Sequence, residues 1–135
     1  MAVLEINNNR TQVWSELEEN QDSIFCHHTV TNESHVPPHI HNRGQLIYSE
    51  GGRMYITVDQ KMWYLPARHY MWIPAGKEHS IDLSSPATFL WNIYFTTWKN
   101  EDAFFQKAAV YPVNNLLLEL IYFSKNWYGH ITREN

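Results

Sequence analysis

Short runs of alternating apolar and polar residues occupy most of the first hundred positions of the chain. The clearest run has four apolar side chains at alternate positions: Phe89, Trp91, Ile93 and Phe95. Because successive side chains of a β-strand point to opposite faces, this pattern predicts a half-buried strand. Strands are predicted over residues 3–6, 23–30, 45–50, 53–58, 62–65, 70–73, 79–83 and 88–95. Short strands with turn signals between them, such as Gly51-Gly52, favour a β-sandwich or a β-barrel.

The pattern changes to a helical spacing after residue 98. Residues 100–109 are predicted to form a short helix, because acidic side chains lie at its start, where a helix N-terminus favours them. A second helix is predicted over residues 114–128, with Asn114 or Asn115 as its N-cap. Its apolar stripe has positions three and four residues apart: Val113, Leu116, Leu117, Leu120 and Ile121.

Two further apolar residues of the second helix, Leu118 and Tyr122, lie off that stripe. Apolar surface on both sides of one helix usually marks an interface, because water penalises its exposure. We therefore expect the chain to form a homodimer through the outer face of this helix, with Leu118 and Tyr122 as contacts. A helix that packs only on its own barrel is the alternative.

The 135 residues fit a single domain. We expect a β-barrel over residues 1–112 and a C-terminal helix over residues 113–135, which belongs to the same domain and serves as a dimerisation element or linker. The single cysteine, Cys26, excludes an internal disulfide and a cysteine-based zinc site, and it is expected to be a small buried side chain. The apolar stretches are shorter than the ~18 residues of a membrane span, and the first residues of the chain do not resemble a signal peptide. The sequence therefore predicts a cytoplasmic protein.

Two histidine motifs carry the candidate chemistry. The first, with the pattern H-x-H-x3-Q-x6-G, contains His39, His41 and Gln45, and the second, P-x-G-x2-H, ends at His79. Residues two apart on a strand point to the same side, so His39 and His41 face one interior. A turn within each motif brings Gln45 and His79 back beside them. Three imidazoles and one side-chain carbonyl form a ligand set suited to a divalent transition metal such as Zn²⁺ or Ni²⁺.

Other polar residues near these motifs are given no role. His27, His28 and His35 lack a second cluster at a suitable spacing. Arg43 and Arg53 are expected to be exposed, because arginine is seldom buried.

The order and spacing of the two motifs resemble those of the cupin family over about residues 38–83. The resemblance implies a mainly β fold, a double-stranded β-barrel or jelly roll, here with two C-terminal α-helices. Cupins that perform metal chemistry usually carry Glu where this chain has Gln45. A neutral amide compensates less of the charge of a metal ion than a carboxylate does, so a weaker metal affinity is expected.

A narrower resemblance covers about residues 38–128. The segments that carry it are Gln45-Leu46-Ile47-Tyr48, Leu65-Pro66, Trp72-Ile73-Pro74-Ala75-Gly76 and His79-Ser80. Together with the leucine-rich helix that follows, they are similar to the N-terminal, cupin-like effector-sensing domain of AraC-type transcriptional regulators. This resemblance implies a pocket for a small-molecule effector of unknown identity, lined by His39, His41, Gln45 and His79.

The resemblance therefore implies the effector-binding and dimerisation domain of a DNA-binding regulator, and not an enzyme. The net charge of −4 and the lack of a basic patch predict that DNA is bound only through helix-turn-helix units encoded beyond residue 135. The alternatives are a small metal-dependent cupin enzyme, such as a dioxygenase or isomerase, and a cupin that stores a metal or sugar. Neither motif has Asp or Glu at a ligand position, which gives general acid–base catalysis little support.

Overall fold

The computed structural model describes residues 24–31, 35–51, 53–83, 88–96 and 103–131. Within them the strands are β1 (Ile24–Thr31), β2 (His35–His39), β3 (Gly44–Glu50), β4 (Met54–Val58), β5 (Lys61–Leu65), β6 (His69–Ile73), β7 (His79–Leu83), β8 (Thr88–Phe95), β9 (Ala109–Pro112) and β10 (Gly129–Ile131). The helical segments are α1 (Ala103–Gln106), α2 (Asn115–Phe123) and a 3-10 turn (Ser124–Asn126). The strand predicted over residues 3–6 lies outside the described residues.

Two antiparallel sheets build the domain. The larger has the strand order β10-β1-β8-β3-β6-β9, and the smaller has the order β2-β7-β4-β5. Their inner faces share one hydrophobic core: Ile47, Met54, Ile56, Val58, Leu65, Met71, Ile73, Ile81, Leu83 and Leu90. The prediction of a mainly β, double-stranded barrel is confirmed.

The β4–β5 hairpin shows how the alternating pattern produces this arrangement. Met54, Ile56 and Val58 are buried, while the residues between them are only partly buried. The strands turn at Asp59 and Gln60, which have φ values of 47° and 70°. Positive φ at both central residues is typical of a type I′ turn, whose twist matches that of the paired strands. This hairpin turn therefore forms without glycine.

Helix α2 packs on the outer face of the larger sheet. A second hydrophobic cluster joins them: Tyr48, Trp91, Val113, Leu118 and Ile121. The helix begins after the predicted cap, where the Asn114 side-chain oxygen accepts a hydrogen bond of 2.8 Å from the backbone N–H of Leu117.

The prediction of which face of α2 points outward is wrong. Leu118 is only 8% exposed, and the Tyr122 hydroxyl donates a hydrogen bond to the Glu50 carboxylate on the sheet, so neither is a free surface contact. The exposed residues are instead Leu116 (71%) and Leu120 (57%), together with Phe123. The residues Leu118, Ile121 and Tyr122 have the same three- and four-residue spacings as the predicted stripe, so spacing alone does not determine which apolar face packs on the sheet.

Three strands were not predicted, and two of them, β9 and β10, shorten the predicted helices. In place of a helix over 100–109, the described part has only the single turn α1, and β9 follows it to pair with the edge of β6. The helix predicted to reach residue 128 ends at Phe123, and Gly129, with φ of 77°, begins β10, which pairs with β1. The third unpredicted strand, β2, pairs with β7. At β9 and β10 an open strand edge provides hydrogen bonds that local helix propensity does not outweigh.

The environment of Cys26 agrees with its prediction as a buried side chain. Cys26 is fully buried in β1, and burial raises the pKa of its thiol to about 11. A neutral, inaccessible thiol is unreactive. None of the helices in the described ranges has the length and apolar content needed to cross a membrane.

Candidate functional site

Two adjacent strands of the smaller sheet bring His39 and His79 together. His39 is the last residue of β2 and His79 is the first of β7, and the two are directly paired in antiparallel register. The register in which β2 pairs with β7 shifts between Val36 and His39. Such an irregularity changes the direction of side chains and is frequent next to functional sites. Their imidazole centroids lie 4.2 Å apart.

The turns of the two motifs are joined by a backbone hydrogen bond. The N–H of Gly76 donates to the carbonyl oxygen of His41 at 2.9 Å. Gly76 has φ of 77°, a left-handed conformation that glycine adopts without steric cost, so this turn can close against the first motif. His41 lies just beyond the end of β2, and its ring is 4.8 Å from that of His79.

The predicted cluster of four residues is therefore present, and it is buried. His41, Gln45 and His79 are 5%, 2% and 1% exposed, and His39 is partly buried. The ligand atoms of the three histidines all lie within 4.8 Å of one another. This approaches the separation of about 3.4 Å between two nitrogens bound at about 2.1 Å around a tetrahedral ion.

Backbone carbonyls fix the same tautomer in all three histidines. The Nδ1–H groups of His39, His41 and His79 donate to the carbonyl oxygens of Pro37 (2.9 Å), Arg43 (2.7 Å) and Lys77 (2.9 Å) respectively. A neutral imidazole that donates from Nδ1 keeps a lone pair on Nε2. Metal-binding histidines are oriented by this type of hydrogen bond. The Nε2 atom of His79 is buried and has no hydrogen-bond partner.

Burial keeps the imidazoles of His41 and His79 neutral. It lowers the pKa of His79 to about 3, and the nearby His39 and His41 lower it further, while the Lys77 carbonyl opposes the shift. Burial likewise lowers the pKa of His41 to about 4, against the opposing effect of Gln45. Both rings therefore have the protonation state that a metal ligand requires.

Gln45 lies beside His41 and is held by a residue that the sequence motifs do not include. The Oε1 atom of Gln45 is 3.1 Å from Nε2 of His41, and its Nε2 group donates to Oδ1 of Asn92 at 2.8 Å. Because Nε2 of His41 carries a lone pair, it faces another acceptor. Two acceptors in contact are reconciled by a cation between them, or by reversal of the amide. The donor set of three imidazole nitrogens and one amide oxygen thus fits a divalent transition ion.

The sequence motifs do not include several residues that surround the cluster. Asn92 and Tyr94 extend from β8 toward the cluster, and the Tyr94 ring lies 5.3 Å from that of His41. A polar Asn between Leu90 and Tyr94 on one face of a predicted strand was the available signal. Arg43 is fully buried, in contrast to its expected exposure, whereas Arg53 is exposed as predicted.

The comparisons with known proteins agree with this architecture. The model of the family described as AraC-like ligand binding domain matches residues 23–97. The HTH-type transcriptional regulator NimR of Escherichia coli (strain K12) is 40% identical over 63 residues, which cover 47% of this chain and 23% of NimR.

Solved structures of ToxT from Vibrio cholerae have a similar fold. One aligns with a TM-score of 0.52 at 8% identity, and it covers 79% of this chain and 50% of ToxT. Another, bound to (E)-4-(8-methylnaphthalen-1-yl)but-3-enoic acid, aligns with a TM-score of 0.50 at 6% identity, over 76% of this chain and 48% of ToxT. The chain spans about half of ToxT and about a quarter of NimR. With more than half of its length matched by the family model, the chain belongs to the family of AraC-like ligand binding domains.

Proposed function

We propose that this chain is the effector-binding and dimerisation domain of an AraC-type DNA-binding transcriptional regulator that acts in the cytoplasm. Its family and its similarity to part of NimR support this role. The net charge of −4 makes the chain itself poorly suited to phosphate contacts. DNA binding therefore belongs to helix-turn-helix units of a longer protein.

The effector site of this proposal is the cluster of His39, His41, Gln45 and His79, holding a divalent transition ion such as Zn²⁺ or Ni²⁺. The observation that carries it is the set of three Nδ1–H bonds to backbone carbonyls, which leaves three Nε2 lone pairs in one buried place. When bound, such an ion supplies a localised positive charge. The surrounding residues orient the ligands and limit the access of water.

A small-molecule effector is proposed to bind in the barrel beside this cluster. One ToxT structure contains a small aromatic carboxylic acid, which supports an organic ligand for a domain of this fold. Three neutral imidazoles and a neutral amide leave the charge of a divalent ion uncompensated. A carboxylate-bearing effector therefore has the complementary charge.

A metal-dependent enzyme is the second candidate, and the composition of the cluster argues against general acid–base catalysis by its own side chains. Among the described residues, the group able to hold an ion contains three histidines and no carboxylate. General acid–base catalysis near neutral pH needs a group whose pKa lies near the working pH. His41 and His79, with pKa values of about 4 and 3, do not meet this requirement.

Dimerisation is proposed through the exposed face of α2. Leu116, Leu120 and Phe123 follow one another at spacings of four and three residues, so they share one face of the helix. All three are more than half exposed. A second copy of the chain presents the same stripe, so an isologous contact would bury both.

Metal binding by the 135-residue chain tests the proposed site. The apparent affinity for Zn²⁺ is measured by competition with a chromophoric chelator after removal of bound metal. We expect one high-affinity site, and His79→Ala should weaken it by more than about 100-fold, since loss of a ligand exceeds the 10–100-fold effect of losing an outer-shell partner.

His69→Ala provides the matched control. The Nδ1 of His69 also donates to a carbonyl two residues earlier, that of Ala67 at 2.9 Å, but His69 lies outside the cluster. This variant should retain the wild-type affinity. Equal Zn²⁺ affinities for His79→Ala and the parent chain, or no high-affinity site in either, would contradict the proposal.

A further inference from the structure

Asn92 connects the two faces of the larger sheet. It pairs with Ile47 of β3 and His27 of β1, and its side chain is buried on the inner face, near the histidine cluster. The neighbouring residue Trp91 packs on the outer face, beneath helix α2. The backbone of Asn92 therefore lies between the candidate effector site and this helix.

On the inner side, hydrogen bonds join Asn92 to the cluster. Its Oδ1 atom accepts from Nε2 of Gln45 at 2.8 Å, while Oε1 of Gln45 faces His41. This orientation of the Gln45 amide is the one in which Oε1 serves as a ligand. Without an ion, the lone pair of His41 is satisfied only if Gln45 presents its NH₂ group, which requires Asn92 to turn its own NH₂ toward Gln45.

On the outer side, the backbone of Asn92 is joined to the end of α2. Its N–H donates to Nδ1 of His28 at 3.2 Å, and Nε2–H of His28 donates to the carbonyl oxygen of Ser124 at 2.9 Å. Ser124 is the C-cap of α2, is 1% exposed, and donates from Oγ to the carbonyl of Ile121 at 2.6 Å. His28 thus holds the last turn of the helix through a single fixed tautomer.

We propose that Asn92 couples occupancy of the histidine cluster to the C-terminal end of α2, through Gln45 on one side and His28 and Ser124 on the other. The inference rests on the proposed metal site. The paired amides of Gln45 and Asn92 have two discrete hydrogen-bonded arrangements, one with Oε1 toward the cluster and one reversed. Such a two-state element is what allows a ligand to bias a distant structure.

The end of α2 that is coupled in this way is part of the surface proposed for dimerisation. The turn capped by Ser124 includes Phe123, at the end of the exposed stripe of α2. A change in the stability of this turn alters the stripe and the 3-10 turn that follows it. The size of the change is limited by the difference in ligand affinity between the two arrangements.

Hydrogen exchange tests the coupling. Amide exchange is measured over residues 118–127 of the 135-residue chain, with chelator and with saturating Zn²⁺, while Zn²⁺ affinity is determined separately. In the parent chain, protection of residues 121–126 should change by at least about fivefold on addition of Zn²⁺, the lower end of typical coupling between sites.

Two variants break the connection on opposite sides of the sheet. Asn92→Leu removes the inner hydrogen bond, and His28→Phe removes the outer two, so both should bind Zn²⁺ with no change in protection of residues 121–126. His28 lies outside the cluster, so His28→Phe should still bind Zn²⁺, with an affinity changed by no more than the coupling factor itself. This variant keeps the test valid if Asn92→Leu does not fold. Zn²⁺ binding by the parent chain without a change at the helix end overturns the coupling alone. A change that persists in His28→Phe overturns it as well, whereas absence of Zn²⁺ binding overturns the metal site on which the coupling rests.

Discussion

Gln45 directs its Oε1 atom at Nε2 of His41, 3.1 Å away, although Nε2 of His41 carries a lone pair. His41 Nδ1–H donates a hydrogen bond to the Arg43 carbonyl, and the Gln45 Nε2 group donates one to Oδ1 of Asn92. These two hydrogen bonds hold the side chains so that Oε1 of Gln45 and Nε2 of His41, both acceptors, face each other. This contact is satisfied either by a cation between the two acceptors, as in the proposed metal site, or by reversal of the Gln45 amide.

Replacement of Gln45 by Glu should strengthen metal binding. A carboxylate in this place adds a negative charge to a set of neutral ligands, and a charge pair at 4 Å is worth about 4 kcal/mol at an effective dielectric of about 20. We expect Gln45→Glu to raise the Zn²⁺ affinity by about tenfold or more, and Gln45→Leu to lower it. Chelator competition measures both. A lower affinity for Gln45→Glu than for Gln45→Leu would count against Gln45 as a ligand.

The stability of the metal-free chain should fall as the pH drops below about 6.5. Burial lowers the pKa of His41 to about 4 and of His79 to about 3, whereas an imidazole in the unfolded chain titrates near 6.5. Between these values the unfolded state binds more protons, so protonation favours unfolding. The loss should approach about 1.4 kcal/mol per pH unit for each histidine. Urea unfolding with chelator from pH 7 to 5.5 measures it, and a flat profile would contradict neutral burial.

Loss of the Asn114 cap should destabilise the domain. Asn114→Ala removes the hydrogen bond to the Leu117 N–H, which should lower the free energy of unfolding by about 1 kcal/mol. Asn115→Ala is the control, because that exposed side chain accepts only from Arg68 at 3.3 Å on the surface. It should change stability by less than about 0.5 kcal/mol. Equal losses in urea unfolding would show that Asn114 is not the effective cap.

The exposed stripe of α2 should control self-association. Light scattering at high micromolar concentration should give twice the 16.1 kDa chain mass, and Leu116→Gln combined with Leu120→Gln should give a monomer of unchanged stability. Leu118→Ala provides the contrast: it should lose about 2–5 kcal/mol of stability, because Leu118 is buried, yet remain a dimer while folded. A monomeric parent chain, or a dimeric double variant, would refute this interface.

The sequence was informative where a local pattern determines the geometry. Alternation located most strands of the barrel, because strand parity is a local property. The convergence of His39, His41 and His79 was also predicted, but the parity argument for it was wrong: His41 lies beyond the end of β2, and a hydrogen bond from Gly76 holds its backbone. The roles of Asn92 and His28 could not be predicted, because they depend on the pairing of β1 with β8 and on the position where α2 packs on the larger sheet. The same is true of β9 and β10, which form only because β6 and β1 offer open edges.

X-ray absorption of the Zn²⁺-loaded chain tests the central claim most directly, because it reports the ligands of the ion itself. The account predicts three imidazole nitrogens at about 2.0–2.1 Å and one light oxygen ligand, with one imidazole lost in His79→Ala and none lost in His69→Ala. A shell with fewer than three imidazoles in the parent chain, or one unchanged by His79→Ala, would contradict a metal site formed by His39, His41 and His79.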